Sequence, residues 1–323
     1  MGTFGGHALP GGFFIVFAVW WTVQIYRRYF RSLRKGGLPF RASATYPLDF
    51  LPPSVGRARS WEWEGTLKIL FTGVGFALEV ITAHHDGRFA YLGNGQHATM
   101  FFFFGMSGVV DILVRLRAPL PPGVEYLMAT LAFVVEAVLF MFHTHIRTEM
   151  DKLIHQLLVY GVWACVATCI VEMRFRSSVA AALARTYCVF LQGTWFWQAG
   201  FILYSPLPGA VKWDETSHDQ MMIVTMMFAW HMAAVFVAMA SVGALVAVAE
   251  RYCRCCGVAR DEVGGAMLLT SVTSSHEDAV SLFRRNGGYS GVVDDTLSES
   301  DEIDEVTFQK PEATSTRPLP ITG

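Results

Sequence analysis

The sequence predicts an all-α fold: a polytopic membrane protein, built as a seven-transmembrane-helix bundle with a disordered acidic cytosolic C-terminal tail. Three observations predict it. Seven long apolar stretches recur along the 323 residues; 53% of the residues are apolar and 16% charged, below the ~25% charged share usual in soluble domains; and Lys and Arg collect at alternate ends of the stretches. With no water in a bilayer core, every backbone N–H and C=O must be bonded within its own segment, and that favours helices.

The spans read as 8–26, 65–83, 96–114, 124–142, 153–171, 181–203 and 221–247, each near or above the ~20 residues that carry a helix across the hydrocarbon. The start, MGTFGGHALPGG, lacks a basic segment, so the first span reads as a retained helix and not a cleaved signal. His7 precedes span one. Glu79 lies about a turn inside the end of span two, which His84 and His85 follow. His97 opens span three, where Phe101 to Phe104 form a packing or lipid-facing run. Glu136 lies about two turns inside the end of span four, which His143 and His145 close. His155 opens span five, four residues after Asp151. Span six carries Gln192 and Gln198. His218 precedes span seven, and His231 lies about ten residues into it, roughly 15 Å deep at ~1.5 Å per residue.

Assigning the flanks alternately to two sides places 16 Lys and Arg on one, beginning with Arg27, Arg28, Arg31, Arg34 and Lys35. The other side holds 4: Arg88, Arg147, Lys152 and Lys212. By the positive-inside rule the N-terminus is lumenal or extracellular and the C-terminus cytosolic. Residues 1–250 are thus expected to form the membrane domain and 251–323 a mostly disordered tail, because 258–323 holds 5 basic and 12 acidic residues with little apolar surface to offset chain entropy. Cys165, Cys169 and Cys188 read as packing residues, whereas Cys253, Cys255 and Cys256, beside Arg251 and Arg254, suit S-palmitoylation. In the tail, Tyr289 begins a sorting-like YSGV, and Ser298 and Ser300 lie in an acidic run that phosphorylation would strengthen for a cytosolic sorting adaptor.

Titratable groups at membrane depth mark sites by default. His97, Glu136, His143, His155 and His231 form the principal set, with Glu79 and Asp151 beside them. Helical spacing puts Glu136 and His143 on one face and Asp151 in contact range of His155. His84, His85, His145 and His218 read as solvated helix ends, Asp111 as the partner of Arg115, and Glu172 as interface charge beside Arg174 and Arg176. The expected cavity is polar, outward-facing, and built from spans two to five and seven. Imidazole with carboxylate suits zinc or a proton or ion relay; buried pairs that only fix helix register are the third alternative. No phosphate loop, nucleophile elbow or CxxC pair is present, and the basic residues follow the membrane interface, so membrane lipids are expected partners and nucleic acid is not.

The segments GHALPG (6–11), QHATM (96–100), EAVLFMFHTHIR (136–147), DKLIHQLL (151–158), LQGTWFWQAGF (191–201), KWD (212–214) and AWH (229–231) resemble the transmembrane protein 45 family in the same order. The resemblance implies a multi-pass protein of Golgi, endosomal and lysosomal membranes, with some members linked to epithelial differentiation or innate defence, and it implies no settled activity. Its segments contain His7 and His145, which join Glu79 and Asp151 as second choices for a metal site. Three functions are therefore weighed: a zinc-dependent membrane hydrolase, a proton or metal-ion transporter with haem binding as a lesser variant, and a non-catalytic trafficking protein. Whether the chain is an enzyme stays open at this point.

Overall fold

The computed structural model describes residues 3–48, 61–142, 148–210 and 212–285, with side chains up to Tyr252. The chain is mostly helical, with α1 (Phe4–Ser32), α2 (Trp63–Thr82), α3 (Leu92–Arg115), α4 (Val124–Met141), α5 (Glu149–Arg174), α6 (Val179–Tyr204) and α7 (His218–Arg285). Between α2 and α3 a hairpin pairs β1 (His84–His85) with β2 (Arg88–Phe89). Its two turn residues, Asp86 and Gly87, both have positive φ, as the favoured Asp-Gly hairpin turn requires. Two compact units are distinguished, Met1–Ala259 and Arg260–Gly323.

Among the described residues six helices are long and apolar enough to cross a membrane: α1 to α5, and α7 over His218–Tyr252. The expected sixth apolar span does not reach that standard by composition. In α6, Arg185, Thr186, Gln192, Thr194 and Gln198 interrupt the apolar run. The physical reason lies in its neighbours. α6 packs against α1 and α5 and buries Ala182, Thr186, Gln192, Trp195 and Ala199. A helix enclosed by protein can satisfy polar groups on adjacent helices and needs little lipid-facing apolar surface.

Caps set several boundaries that apolarity alone misplaces. Thr3 accepts from the Gly6 amide and starts α1 at Phe4; Thr148 accepts from the Asp151 amide and starts α5 at Glu149; Ser178 accepts from the Ala181 amide and starts α6. Each is a side-chain oxygen satisfying an amide that the first helical turn leaves orphaned. α7 runs from His218 to Arg285. His143 and His145, the side chains of Cys253, Cys255 and Cys256, and Tyr289, Ser298 and Ser300 lie outside the described residues.

Helices α2, α3, α4, α5, α6 and α1 pack in that order, each on the next. Two glycine pairs explain two of these contacts. A Cβ on Gly11 would sit 2.8 Å from the Gly193 carbonyl oxygen and one on Gly193 2.9 Å from that of Gly11; Gly65 and Gly108 stand in the same relation at 2.7 and 2.6 Å. Backbones that close admit no side chain, which is how small residues draw membrane helices together. Side chains join α1 to α2: the Phe13 and Phe71 rings stack at 4.3 Å, and both Trp20 and Trp21 donate to Glu64. α7 lies on α6 and α1, with Tyr187 donating to the Met232 carbonyl at 3.0 Å and Gly243 beneath the Tyr26 ring. The outer faces keep Val74, Leu78, Phe236, Leu245 and Val248 exposed, the surface that a hydrocarbon surround accommodates.

Candidate functional site

Helices α1 to α6 enclose a cavity of about 440 Å³. α1 supplies much of its wall and α7 none, which corrects the expectation of a polar pocket completed by span seven. Its middle is aromatic. Phe14 lies 5.5, 6.2 and 6.0 Å from the Phe104, Phe133 and Phe196 rings, with Phe17, Phe71, Phe101 and Phe140 also in the lining. Of the expected Phe101–Phe104 run, Phe101 lies over Gly75 and Phe104 lines the cavity, while Phe102 faces outward. Helical phase divides the run between cavity and exterior.

One end of the cavity is rich in histidine. There His97 Nδ1 lies 3.2 Å from Glu79 Oε1, joining α3 to α2. His155 Nδ1 lies 2.7 Å from Asp151 Oδ1 within α5, and the His7 and His155 ring centroids are 5.9 Å apart. His7 contacts the Thr3 carbonyl at 3.0 Å through Nδ1. Glu136 accepts twice from the Gln192 amide, at 2.8 and 2.9 Å. His7, Glu79, His97, Glu136 and His155 all line the cavity. Thr3, Thr82 and Tyr91, which are exposed, line this end and form its mouth.

The other end carries Lys68 and Arg185 in its lining. Lys68 donates to Asp111 at 2.7 Å, and Arg185 is ion-paired to Glu172, which also accepts from the Tyr126 hydroxyl at 2.8 Å. The segment from Ala42 to Tyr46 covers this end, with Ala44 in the cavity wall. Ala42 exchanges hydrogen bonds with Arg176, the Arg28 guanidinium lies 4.4 Å from the Tyr46 ring centre, and the Tyr46 amide donates to Glu64 at 2.7 Å. Burial pushes the Tyr46 hydroxyl above its ordinary range. The Glu64 carboxylate therefore accepts from two indoles and one backbone amide, at 2.6, 2.7 and 2.7 Å.

The structure thus brings His97, Glu136 and His155 to one cavity, together with His7 and Glu79. It does not bring His231 there: that ring packs at 5.7 Å from Trp195, with Nε2 3.4 Å from Gln198 Oε1. Among the described residues no three of His, Cys, Asp and Glu come together to hold a metal ion. The donors form pairs, and a carboxylate–imidazole pair can orient an imidazole and move a proton. Two sequence expectations are corrected. Asp111 pairs with Lys68 and not Arg115, because Lys68 faces it from the adjacent helix. Glu172, read as interface charge, is completely buried, because Arg185 reaches it from α6. Glu64 and Arg185 were missed as site residues, since a charge near a span end reads as a membrane-surface residue until its partners are known.

Residues 122–243, from the end of the α3–α4 connection into α7, match the sequence profile described as "Family of unknown function (DUF716)". The chain is similar to Transmembrane epididymal protein 1A of Mus musculus, 26% identical over 247 residues, covering 72% of this chain and 76% of the relative. It is also similar to Transmembrane epididymal protein 1 of Rattus norvegicus, 27% identical with coverage of 72% and 76%, and to that of Homo sapiens, 28% identical with coverage of 54% and 68%. The chain is a multi-pass membrane protein. The matched profile includes Glu136, His155, Arg185, Gln192 and His231, and so takes in parts of both polar ends of the cavity.

Proposed function

We propose that this membrane protein binds an amphiphile, an acyl chain or comparable apolar body with a polar head, inside its helix bundle. The observation that carries the reading is the Phe-lined cavity with polar side chains at both ends, the exposed Thr3, Thr82 and Tyr91 lining one of them. A volume of about 440 Å³ falls within the ~300–1,000 Å³ of sites that enclose small ligands, which are mostly apolar with a few placed polar groups. The chain lies along Phe14, Phe104 and Phe133, and the head meets His7, His97 and Glu79. The Ala42–Tyr46 segment, with Ala44 in the cavity wall and Tyr46 bonded to Glu64, supports binding over conduction. In this reading α6 also crosses the membrane and brings the spans to seven, the histidine end is exoplasmic, and the arginine end faces the cytosol. The resemblance to the transmembrane protein 45 family supports a Golgi or endolysosomal setting, with the plasma membrane as the alternative. Trafficking through cytosolic adaptors would rest on Tyr289, Ser298 and Ser300.

Photolabelling with a diazirine fatty acid in nanodiscs tests the pocket. Adducts on the phenylalanines of the cavity wall, competed by unlabelled amphiphile, support it; adducts confined to the outward faces of α2 and α7 reject it.

The pairs Asp151–His155 and Glu79–His97 favour a second reading, hydrolase-type activity on the bound amphiphile, with an imidazole as general base. Release of product from a fluorogenic ester or amide lipid, abolished in His155→Gln or His97→Gln, supports it; no turnover above protein-free nanodiscs removes it. Metal analysis before and after chelation decides whether zinc takes part.

A further inference from the structure

Among the described residues, Glu136 is a cavity carboxylate with which no lysine or arginine pairs. It lies on α4, is 2% exposed and lines the cavity. Both of its oxygens accept from one donor, Gln192 Nε2, at 2.8 and 2.9 Å. Cys165 Sγ donates to Gln192 Oε1 at 3.3 Å, which leaves the amide nitrogen to face the carboxylate. A carboxylate accepts at about four lone-pair positions, and an amide brings no charge to balance its own. The two cations of the cavity lining are committed elsewhere, Lys68 to Asp111 and Arg185 to Glu172.

The surroundings of Glu136 are aromatic. Phe133 and Phe140 stand three residues before it and four after it, and Phe196 stands four after Gln192, spacings that share a helical face. The Phe196 ring lies 5.9 Å from that of Phe140 and 6.0 Å from that of Phe14, and Phe14 lies 6.2 Å from Phe133. Aromatic faces attract an organic cation and offer no metal ligand. Among the described residues no three donor side chains come together for a metal ion. An ionised carboxylate at membrane depth is costly without a cation, and the occupant of the cavity can bring one. His155 packs on Phe140 with ring centroids 6.2 Å apart. Glu136 lies four residues, roughly 6 Å, further from the mouth along α4, within reach of a head that also meets the imidazoles.

We propose that the amphiphile taken by the cavity carries an amine, and that Glu136 is the residue that selects it. The inference rests on the amphiphile reading and adds its chemical class: a long-chain primary amine or amino alcohol, in preference to a fatty alcohol or fatty acid of equal length. The ammonium meets the Glu136 carboxylate among the Phe133, Phe140 and Phe196 rings, while the chain runs past Phe14 and Phe104. A fatty acid fits the same apolar volume but brings no cation to Glu136.

The test uses three photoprobes of equal chain length, each with a mid-chain diazirine and ending in an amine, an alcohol or a carboxylate, on the full-length protein in phosphatidylcholine nanodiscs. Adducts on the cavity phenylalanines are measured relative to those on the outward faces of α2 and α7, which corrects for partition into the bilayer. Wild type is expected to take the amine roughly tenfold more than the other two, toward the low end of what a close charge pair contributes. Glu136→Gln, which keeps a polar group of the same size opposite Gln192, should bring the amine down to the level of the alcohol. An amine probe with its diazirine next to the nitrogen should place its adduct on Glu136 in wild type, a readout that needs no variant to fold. Equal cavity labelling by all three probes overturns the amine and leaves the amphiphile pocket standing; no cavity labelling by any of them overturns both. An amine preference that persists in Glu136→Gln, or head-group adducts confined to Glu79, overturns Glu136 as its source.

Discussion

Arg185 and Glu172 are a charge pair at 4% and 0% exposure, and each owes its burial to the other. Removing one partner of such a pair strands a charge and destabilises by about 3–5 kcal/mol, while replacing both with apolar groups is often neutral. Arg185→Met is therefore expected to lower the thermal midpoint in detergent sharply, and Arg185→Met with Glu172→Leu to recover most of the loss. Arg185 also lies 3.5 Å from the Ser43 carbonyl and 4.3 Å from the Trp21 ring centre, and a double variant no better than the single one would mean that these contacts dominate. Glu62, just ahead of α2, behaves differently. Burial, then the Asp111 charge, raises its carboxyl above the ordinary value near 4.5. A raised carboxyl binds its proton more tightly in the folded state, so the folded form is favoured at low pH and loses that contribution as pH rises from about 4.5 through the raised value. Glu62→Gln should flatten that part of the stability–pH curve, measured by unfolding across pH 4 to 7, and an unchanged slope would remove Glu62 as its source.

At the level of helices, apolar length and close packing are separate properties. The sequence shows where apolar segments lie, yet Gly65 and Gly73, eight residues apart on α2, look alike in it. In the folded protein a Cβ on Gly65 meets the Gly108 carbonyl at 2.7 Å, while Gly73 has open space. Gly65→Val should destabilise by about 1–3 kcal/mol through overpacking, and Gly73→Ala should be neutral or stabilising, because alanine forms helix more readily than glycine. Equal effects in a thermal-shift comparison would refute the close contact of α2 with α3. The same distinction explains α6, whose polar residues lower its apolarity because its surroundings are other helices.

Across the whole molecule, the six-helix enclosure makes an internal volume that no single helix contains. Ala129 lines it from α4, and Ala129→Phe should fill part of it. Photolabelling by a diazirine fatty acid is expected to fall several-fold while the thermal midpoint stays near that of wild type; undiminished labelling would place the ligand elsewhere. Much of the architecture was legible beforehand, because membrane helices must be long, apolar and internally hydrogen-bonded, and those demands are written along the chain. Pairing of His155 with Asp151 was legible too, since it depends on helical spacing alone. Partners on different helices were not: Glu79 with His97, Glu136 with Gln192, Lys68 with Asp111, and Arg185 with Glu172 are separated by 13 to 56 residues. The sequence by itself determined a polytopic helical chain and a set of polar residues expensive enough in a membrane to have a purpose. Only the tertiary structure decided which of them meet, put His231 outside the cavity, and gave α1 a leading place in its wall, because rotation and neighbour choice of each helix depend on close contacts that local pattern does not encode.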